Sequence, residues 1–279
     1  MPPVPPSLPR RLLHRRGELP FPKERPLLMG ILNVTPDSFS DGGRFQSPEN
    51  ALAQAERLLA EGADILDVGG ESIRPGFHGI SPEEELRRIL PVIRAIRKLS
   101  PVPLSVDTSK AQVARAALEA GADIVNDVTA CRDPGMFPVL AEHRPGVVLM
   151  DDLPLEPGEP AFETVRERLR RRRQEAMEAT GLTEEHFLLD PGVGFGKDLP
   201  QNLQCIRHAG EFALGNSGAL LGVSRKSYIG RVTGEENPLR RLPGTLASAL
   251  LAGSVQVLRV HDVGEHRQAL LVAQAIRKS

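Results

Sequence analysis

One unit recurs along this chain and sets the range of folds open to it. From Leu27 onward, a short apolar run is followed by a turn and then, in most cases, by a stretch with helical spacing. The runs lie at residues 27–32, 65–68, 104–106, 124–125, 147–150, 187–189, 219–223 and 255–260. They are apolar without alternation, as strands buried on both faces are. Between them, Ser47-Pro48 opens a helix that buries Ala51, Leu52, Ala55, Leu58 and Leu59, with Gly62 closing it. Ser81-Pro82-Glu83-Glu84 reads as a capping box with proline at the first helical position, ahead of a stripe at Leu86, Ile89, Leu90 and Ile93 bent at Pro91. A third helix spans 111–120, and Gly121-Ala122-Asp123-Ile124 after it repeats Gly62-Ala63-Asp64-Ile65, which predicts two βα units of like geometry. Further helices are expected near 160–180, 199–209, 244–253 and 264–277, with a short one between Asp133 and His143.

Eight strands alternating with helices over about 250 residues is the arithmetic of an α/β fold of the (β/α)8 TIM barrel type. A doubly wound open sheet would place G-x-G-x-x-G after its first strand, where this chain has Asn33-Val34-Thr35-Pro36-Asp37. The barrel is expected over 27–279. Residues 1–26 carry eight prolines and are expected to be an N-terminal extension or arm, with room for a short strand at 11–14.

Composition narrows the function. No apolar stretch approaches the roughly 20 residues that cross a bilayer, and prolines stand where a signal peptide needs its apolar centre. Cys131 and Cys205 are the only cysteines and lie far apart, so neither a disulfide framework nor a zinc cage is expected, and a reduced, cytoplasmic setting follows. A net charge of -1 argues against nucleic acid as a partner. The run from Arg170 to Arg173 reads as the wet face of a helix striped by Val165, Leu169 and Ala176.

The ends of the strands carry the chemistry. In chain order they offer Asn33; Asp67 and the string through Arg74-Pro75-Gly76; Asp107; Asn126 and Asp127; Asp151-Asp152; Asp190; Ser224-Arg225-Lys226-Ser227; and Arg259 with His261. In a barrel all of these surround one mouth. Any one of them could be a cap or turn residue; polar groups at all eight ends make a site. Asp107, Asn126, Asp190 and Lys226 combine acceptors and donors suited to a flat heterocycle, since a carboxylate takes two parallel N–H bonds from a 2-amino-pyrimidinone edge. Arg74, Arg259 and His261 form a cationic set near the usual phosphate corner of the fold, and Asn33 beside them offers its oxygen to a Mg²⁺ ligated mostly by phosphate and water.

Other motifs carry less. The string Gly192-Val193-Gly194-Phe195-Gly196-Lys197 is followed by Asp198 where a P-loop requires Ser or Thr, so its glycines are expected to bring backbone close to a flat ligand, with Phe195 against it. The histidines show no zinc-ligand spacing. A Schiff base at Lys226 is a chemical rival, and the anion-binding set beside it fits electrostatic catalysis better.

The chain resembles the dihydropteroate synthases from about Leu27 to its C-terminus. The resemblance is carried by MGILNVTPDSFSDGG, DVGGESIRPG, LSVDTSK, IVNDV, LDPGVGFGKD, GVSRKSYIG and LRVHDV. It implies a (β/α)8 barrel, usually a homodimer, that joins (7,8-dihydropterin-6-yl)methyl diphosphate to 4-aminobenzoate and releases pyrophosphate. It implies that Asp107, Asn126, Asp190 and Lys226 bind the pterin, and that Asn33, Arg74, Arg259 and His261 hold the diphosphate, with Mg²⁺ at Asn33. By the same resemblance Ser227, Phe195 and Pro75 lie where the aminobenzoate sits, Asp37 belongs to a mobile first loop, and Asp107, Lys226, Arg259 and His261 carry catalysis. The implied partners are these two small-molecule substrates, with no membrane.

Two positions depart from the family pattern. Ile73 replaces a Thr, and Asp151-Asp152 stands where relatives commonly have His-Met, the Met lining the pterin pocket. A carboxylate there would add a ring contact or sit poorly satisfied. Two alternatives therefore stand beside the synthase: a pterin-binding paralogue with little synthase activity, and a pterin-dependent methyltransferase. The second would use a corrinoid partner, and the D-x-H-x-x-G signature of cobalamin domains is absent.

Overall fold

The computed structural model describes residues 9–35, 48–71 and 79–279. An antiparallel hairpin, β1 (Arg11–His14) and β2 (Gly17–Pro20), comes first. Eight parallel strands follow: β3 (Leu27–Asn33), β4 (Ile65–Gly69), β5 (Leu104–Asp107), β6 (Ile124–Asp127), β7 (Gly146–Met150), β8 (Phe187–Asp190), β9 (Gly218–Leu221) and β10 (Val257–Val260). They pair in sequence order, and β10 returns to β3 with Val257 opposite Leu27, which closes the barrel. Outside it lie α1 (Pro48–Glu61), α2 (Pro82–Leu99), α3 (Ala111–Ala120), α4 (Met136–His143), α5 (Ala161–Thr180), α6 (Leu199–Arg207), α7 (Ser227–Thr233), α8 (Leu242–Leu251) and α9 (Val263–Lys278). Each apolar run named above contributes one barrel strand. The seven-residue α7 is too short to show a helical period in the sequence.

Side chains alternate along each strand, and this sorts the interior into layers. Leu28, Leu66, Val125, Leu189 and Leu258 face outward into the core beneath the helices. Leu27, Met29, Ile65, Ile124, Val148, Leu188 and Val257 face inward and pack on one another at the N-terminal end of the barrel. Two residues further up the same strands, with the same inward parity, stand Asp67, Asn126, Asp190 and Arg259. The barrel is thus filled by hydrocarbon at one end and by ionisable groups at the other.

The hairpin closes the apolar end. Leu12 is fully buried within the inward-facing cluster, and Leu19 and Phe21 pack against it. Ion pairs fasten this cover, with Arg16 Nε 2.5 Å from Asp123 Oδ1 and Arg25 bound to both oxygens of Asp64 at 2.7 and 2.9 Å. Asp64 and Asp123 occupy the repeated Gly-Ala-Asp-Ile turns, which do share a geometry. The Asp64 N–H donates to Leu28 O and its carboxylate accepts from Leu28 N–H, each at 2.8 Å; Asp123 does the same with Leu104 at 2.7 and 2.9 Å. Gly62 and Gly121 enter these turns with φ of 100° and 119°, where a Cβ would be strained. Ser81 caps α2 by accepting from the Glu84 N–H at 3.2 Å, and the helix runs on through Pro91.

Candidate active site

The ionisable layer is built around Arg259 on β10. Its Nε donates to Asp67 Oδ2 at 2.6 Å and its Nη2 to Asp107 Oδ2 at 2.5 Å, so one guanidinium bridges the ends of β4 and β5. Asn126 on β6 donates from Nδ2 to the same Asp67 oxygen at 3.1 Å. Asp67 is wholly buried, and its Oδ1 has no partner among the described residues. Burial pushes the Asp107 carboxyl up to about 7 against the pull of Arg259, and the Asp67 charge adds to the rise. Burial works against the charge on Arg259 too, but Asp67 and Asp107 outweigh it and hold the guanidinium protonated. Burial thus sets the direction for Asp107, and the two carboxylates together set it for Arg259.

Across the mouth, Asp190 ends β8 and accepts from the Gly192 N–H at 2.8 Å. Burial raises its pKa, opposed by that N–H and by Lys226. Lys226 donates to the Val193 carbonyl at 2.7 Å, and its ammonium sits 4.2 Å from the centre of the Phe195 ring. Burial takes this lysine down to about 8, with Asp190 opposing the fall and Arg259 adding to it. The glycines of this loop are required by the protein itself rather than only by a ligand. A Cβ on Gly192 would lie 1.9 Å from Asp151 O, and one on Gly194 2.9 Å from Lys226 Cδ.

His261 follows β10 and meets Ser224, which follows β9, through Nδ1 at 2.9 Å. Burial first, then the charges of Arg225 and Arg259, bring His261 down to about 3, so the ring is neutral near pH 7. Arg225 is itself bound to Asp262, tying together the two chain segments that carry Lys226 and His261. Asn33 ends β3 beside Asp107: a Cβ on the intervening Gly69 would lie 3.7 Å from both Asn33 Oδ1 and Asp107 Oδ2. Phe195 is half-buried and Ser227, the first residue of α7, is exposed. Asp37, Ile73, Arg74 and Pro75 lie outside the described residues.

Asp107, Asn126, Asp190, Lys226, Arg259, His261 and Asn33 therefore share one rim. A sequence model of the pterin binding enzymes matches residues 29–261. Over 258 residues the chain is 43% identical to the dihydropteroate synthase of Escherichia coli strain K12, covering 90% of this chain and 91% of that one. The chain belongs to the pterin-binding enzymes, in their dihydropteroate synthase branch. It is similarly 42% identical to the Bacillus subtilis dihydropteroate synthase over 256 residues, covering 91% of this chain and 89% of the relative. Among solved structures, the Xanthomonas albilineans dihydropteroate synthase with 4-aminobenzoic acid matches at 43% identity and a TM-score of 0.90, over 97% of this chain and 99% of that one. The Burkholderia cenocepacia dihydropteroate synthase complexed with 7,8-dihydropteroate matches at 40% and 0.85, over 97% of both chains.

In this pterin-binding enzyme several residues at the mouth had no role assigned from sequence. Asp67 follows Ile65 by two positions on β4, as Asn126 follows Ile124 on β6, so the strand parity alone could have placed it inside. Ser224 and Asp262 gave no such signal, because their partners are 37 residues away. The departure at 151–152 also reads differently in three dimensions. Asp151 is not left unsatisfied: Lys197 Nζ lies 3.1 Å from its Oδ1, and Arg132 reaches Asp152 with two bonds at 2.6 and 2.5 Å.

Proposed function

We propose that the chain joins (7,8-dihydropterin-6-yl)methyl diphosphate to 4-aminobenzoate, giving 7,8-dihydropteroate and pyrophosphate. The observation that carries this reading is the convergence of ring-edge acceptors and fixed cations on one barrel mouth, in a chain of the dihydropteroate synthase branch. Asp107, Asn126 and Asp190 take the donor and acceptor edge of the pterin, and Lys226 donates to a ring oxygen or nitrogen. Phe195, with Ser227 and Pro75, borders the aminobenzoate.

The reaction breaks the bond between the methylene carbon and the diphosphate oxygen, whose electron pair leaves with pyrophosphate. The pterin ring spreads the positive charge left on the methylene, the aniline nitrogen attacks it, and the amine then loses a proton. No strong base is needed. The protein's task is to hold the ring still and to stabilise the departing anion. Arg259 keeps donors beyond those used on Asp67 and Asp107, and Arg74 is assigned beside it by resemblance. Ser224 Oγ already accepts from the His261 backbone N–H at 3.2 Å; with its hydroxyl donating to Nδ1, the proton of the neutral ring stands on Nε2, which makes that nitrogen a donor to a phosphate oxygen.

Asn33 supplies a hard oxygen donor of the kind magnesium takes, and its side chain makes no hydrogen bond to a described residue. Among the described residues no three His, Cys, Asp or Glu side chains gather as a metal site. Mg²⁺ at Asn33 would therefore take its other ligands from diphosphate and water, and would supply charge neutralisation of the leaving group.

A homodimer is proposed from the helices α6 to α8 and the turn at Pro238–Arg240 before α8, which leave Leu203, Val232, Leu239 and Leu251 exposed; light scattering of the purified chain tests it. No helix among the described residues is long and apolar enough to cross a membrane, and the free thiols of Cys131 and Cys205 suit the reducing cytoplasm proposed as its location. The decisive assay supplies the pterin diphosphate with and without 4-aminobenzoate and follows pyrophosphate. Release that depends on the amine supports the synthase. Pterin binding with no release in either case would leave a binding paralogue.

A further inference from the structure

We propose that Asp151 is a positioning residue for Lys226: paired with Lys197, it pins the loop between β8 and α6 whose Val193 carbonyl and Phe195 ring hold the Lys226 ammonium. The inference deepens the function proposed above and rests on it for the meaning of Lys226.

The Lys197 side chain is completely buried, and its three ammonium protons have three acceptors. These are Asp151 O at 3.0 Å, Asp151 Oδ1 at 3.1 Å and Phe195 O at 3.2 Å. The two loops are clamped on either side of this pair. The Asp151 N–H donates to Asp190 O and the Leu155 N–H to Gly196 O, both at 3.0 Å. Backbone contact is so close that a Cβ on Gly196 would lie 2.7 Å from Pro154 Cα. The loop thus cannot slide past residues 151–155 without breaking the ion pair, and its far side is what Lys226 touches. Val193 and Phe195 stand four and two residues before Lys197, and the glycines between them hold tight turns with φ of 86° and 56°.

Charge gives the pair a second consequence. Lys226 is faced by Asp190 from β8, Arg259 from β10, Asp107 from β5 and Lys197 from this loop. Asp151 cancels the Lys197 charge at contact distance. A neutral side chain at 151 would leave a buried, uncompensated cation beside the ring site.

The test uses the full chain with Asp151→Asn and with the double replacement Asp151→Leu, Lys197→Met, which removes both charges. Two readouts apply: the Lys226 side-chain titration followed by NMR of labelled protein, and calorimetric binding of the pterin alcohol that lacks the diphosphate. Asp151→Asn is expected to shift the Lys226 midpoint to lower pH and to weaken pterin binding on the order of tenfold. The double variant should return the midpoint to its wild-type value while binding stays weak, because the anchor is gone, the buried Lys197 charge is gone with it, and Arg168, the other cation 3.7 Å from Asp151 Oδ1, keeps Glu159 at 3.9 Å. It also decides the matter if Asp151→Asn does not fold. A wild-type midpoint in folded Asp151→Asn, or wild-type pterin affinity in the double variant, would overturn the proposal. Since the titration needs no substrate, a wild-type chain that failed to bind pterin would count against the proposed reaction and not against the coupling.

Discussion

Nη2 of Arg259 meets Oδ2 of Asp107 at 2.5 Å, joining residues 152 positions apart in the chain. By resemblance these two belong to different groups, one holding a departing anion and the other gripping a ring. In the folded protein they share a hydrogen bond, and Asp67 shares the same guanidinium. Charge at the anion corner and charge at the ring edge are therefore one quantity.

Arg259→Ala should then weaken both halves of substrate recognition. Removing the guanidinium strands two buried carboxylates, a loss on the order of 3–5 kcal/mol for an ion pair broken on one side. Protonation of Asp107 would relieve part of it. With Arg259 present, and lowering it, the Asp107 carboxyl already lies at about 7; without the guanidinium it lies higher still, so the folded variant binds the extra proton and should gain stability as pH falls from above 7. Chemical denaturation at several pH values checks this, alongside calorimetry with the pterin alcohol. Unchanged alcohol binding, with only diphosphate affinity lost, would mean that Arg259 serves the anion alone.

The pH dependence of kcat/KM should be a narrow bell. Asp107 accepts a parallel pair of ring N–H groups only when ionised, so activity should rise as pH climbs through about 7. Lys226 donates only when protonated, so activity should fall beyond about 8. Such a profile reports groups of the free enzyme. Lys226→Ala should remove the alkaline limb and weaken pterin binding by roughly 10- to 100-fold, the size expected for a hydrogen bond to a charged group. A flat profile from pH 6 to 9 would count against both assignments.

Strand ends were legible because parallel buried strands advertise themselves as apolar runs, and a polar residue in phase with the inward side chains faces the mouth; Asp151, one position out of phase with Val148, turns instead to Lys197 and Arg168. Asn126 and Asp190 could be placed inside by counting two positions from Ile124 and Leu188. What escaped the sequence is everything set by partners far apart in the chain. Nothing local indicates that Asp151 neutralises Lys197, 46 residues on, or that Ser224 will face His261. The Pro-rich start conceals its role in the same way. Its prolines fit an extended arm, whereas residues 11–20 pair as a hairpin that packs on the barrel through Leu12, with Leu19 and Phe21 beside it.

Leu12→Ala separates stability from chemistry. The side chain is fully buried at the apolar end of the barrel, against Ile124, Val148 and Leu188 and away from every ionisable group of the mouth. Truncation should cost about 2–5 kcal/mol of stability through lost transfer energy and a residual cavity. Substrate KM values at a temperature where the variant stays folded should match the wild type. Thermal melting and steady-state kinetics together check it. A raised pterin KM would show that the two ends of the barrel are mechanically linked.

Magnesium dependence should follow the diphosphate and not the ring. Asn33 Oδ1 faces the Asp107 side of the mouth and makes no side-chain hydrogen bond to a described residue, and among the described residues no cluster of three or more His, Cys, Asp or Glu stands ready to hold a cation there without the substrate. A site with so few protein ligands is too weak to load without the anion, since Mg²⁺ keeps its waters unless phosphate oxygens replace them. Chelation should therefore suppress pyrophosphate release while leaving the affinity for the pterin alcohol unchanged. Asn33→Ala should raise the Mg²⁺ concentration needed for half-maximal release, again with normal alcohol binding. Both follow from titrating Mg²⁺ against pyrophosphate release in wild type and variant, with calorimetry on the alcohol as the control. Equal Mg²⁺ requirements in the two proteins would take Asn33 out of the metal's coordination and leave the cation bound by the diphosphate alone.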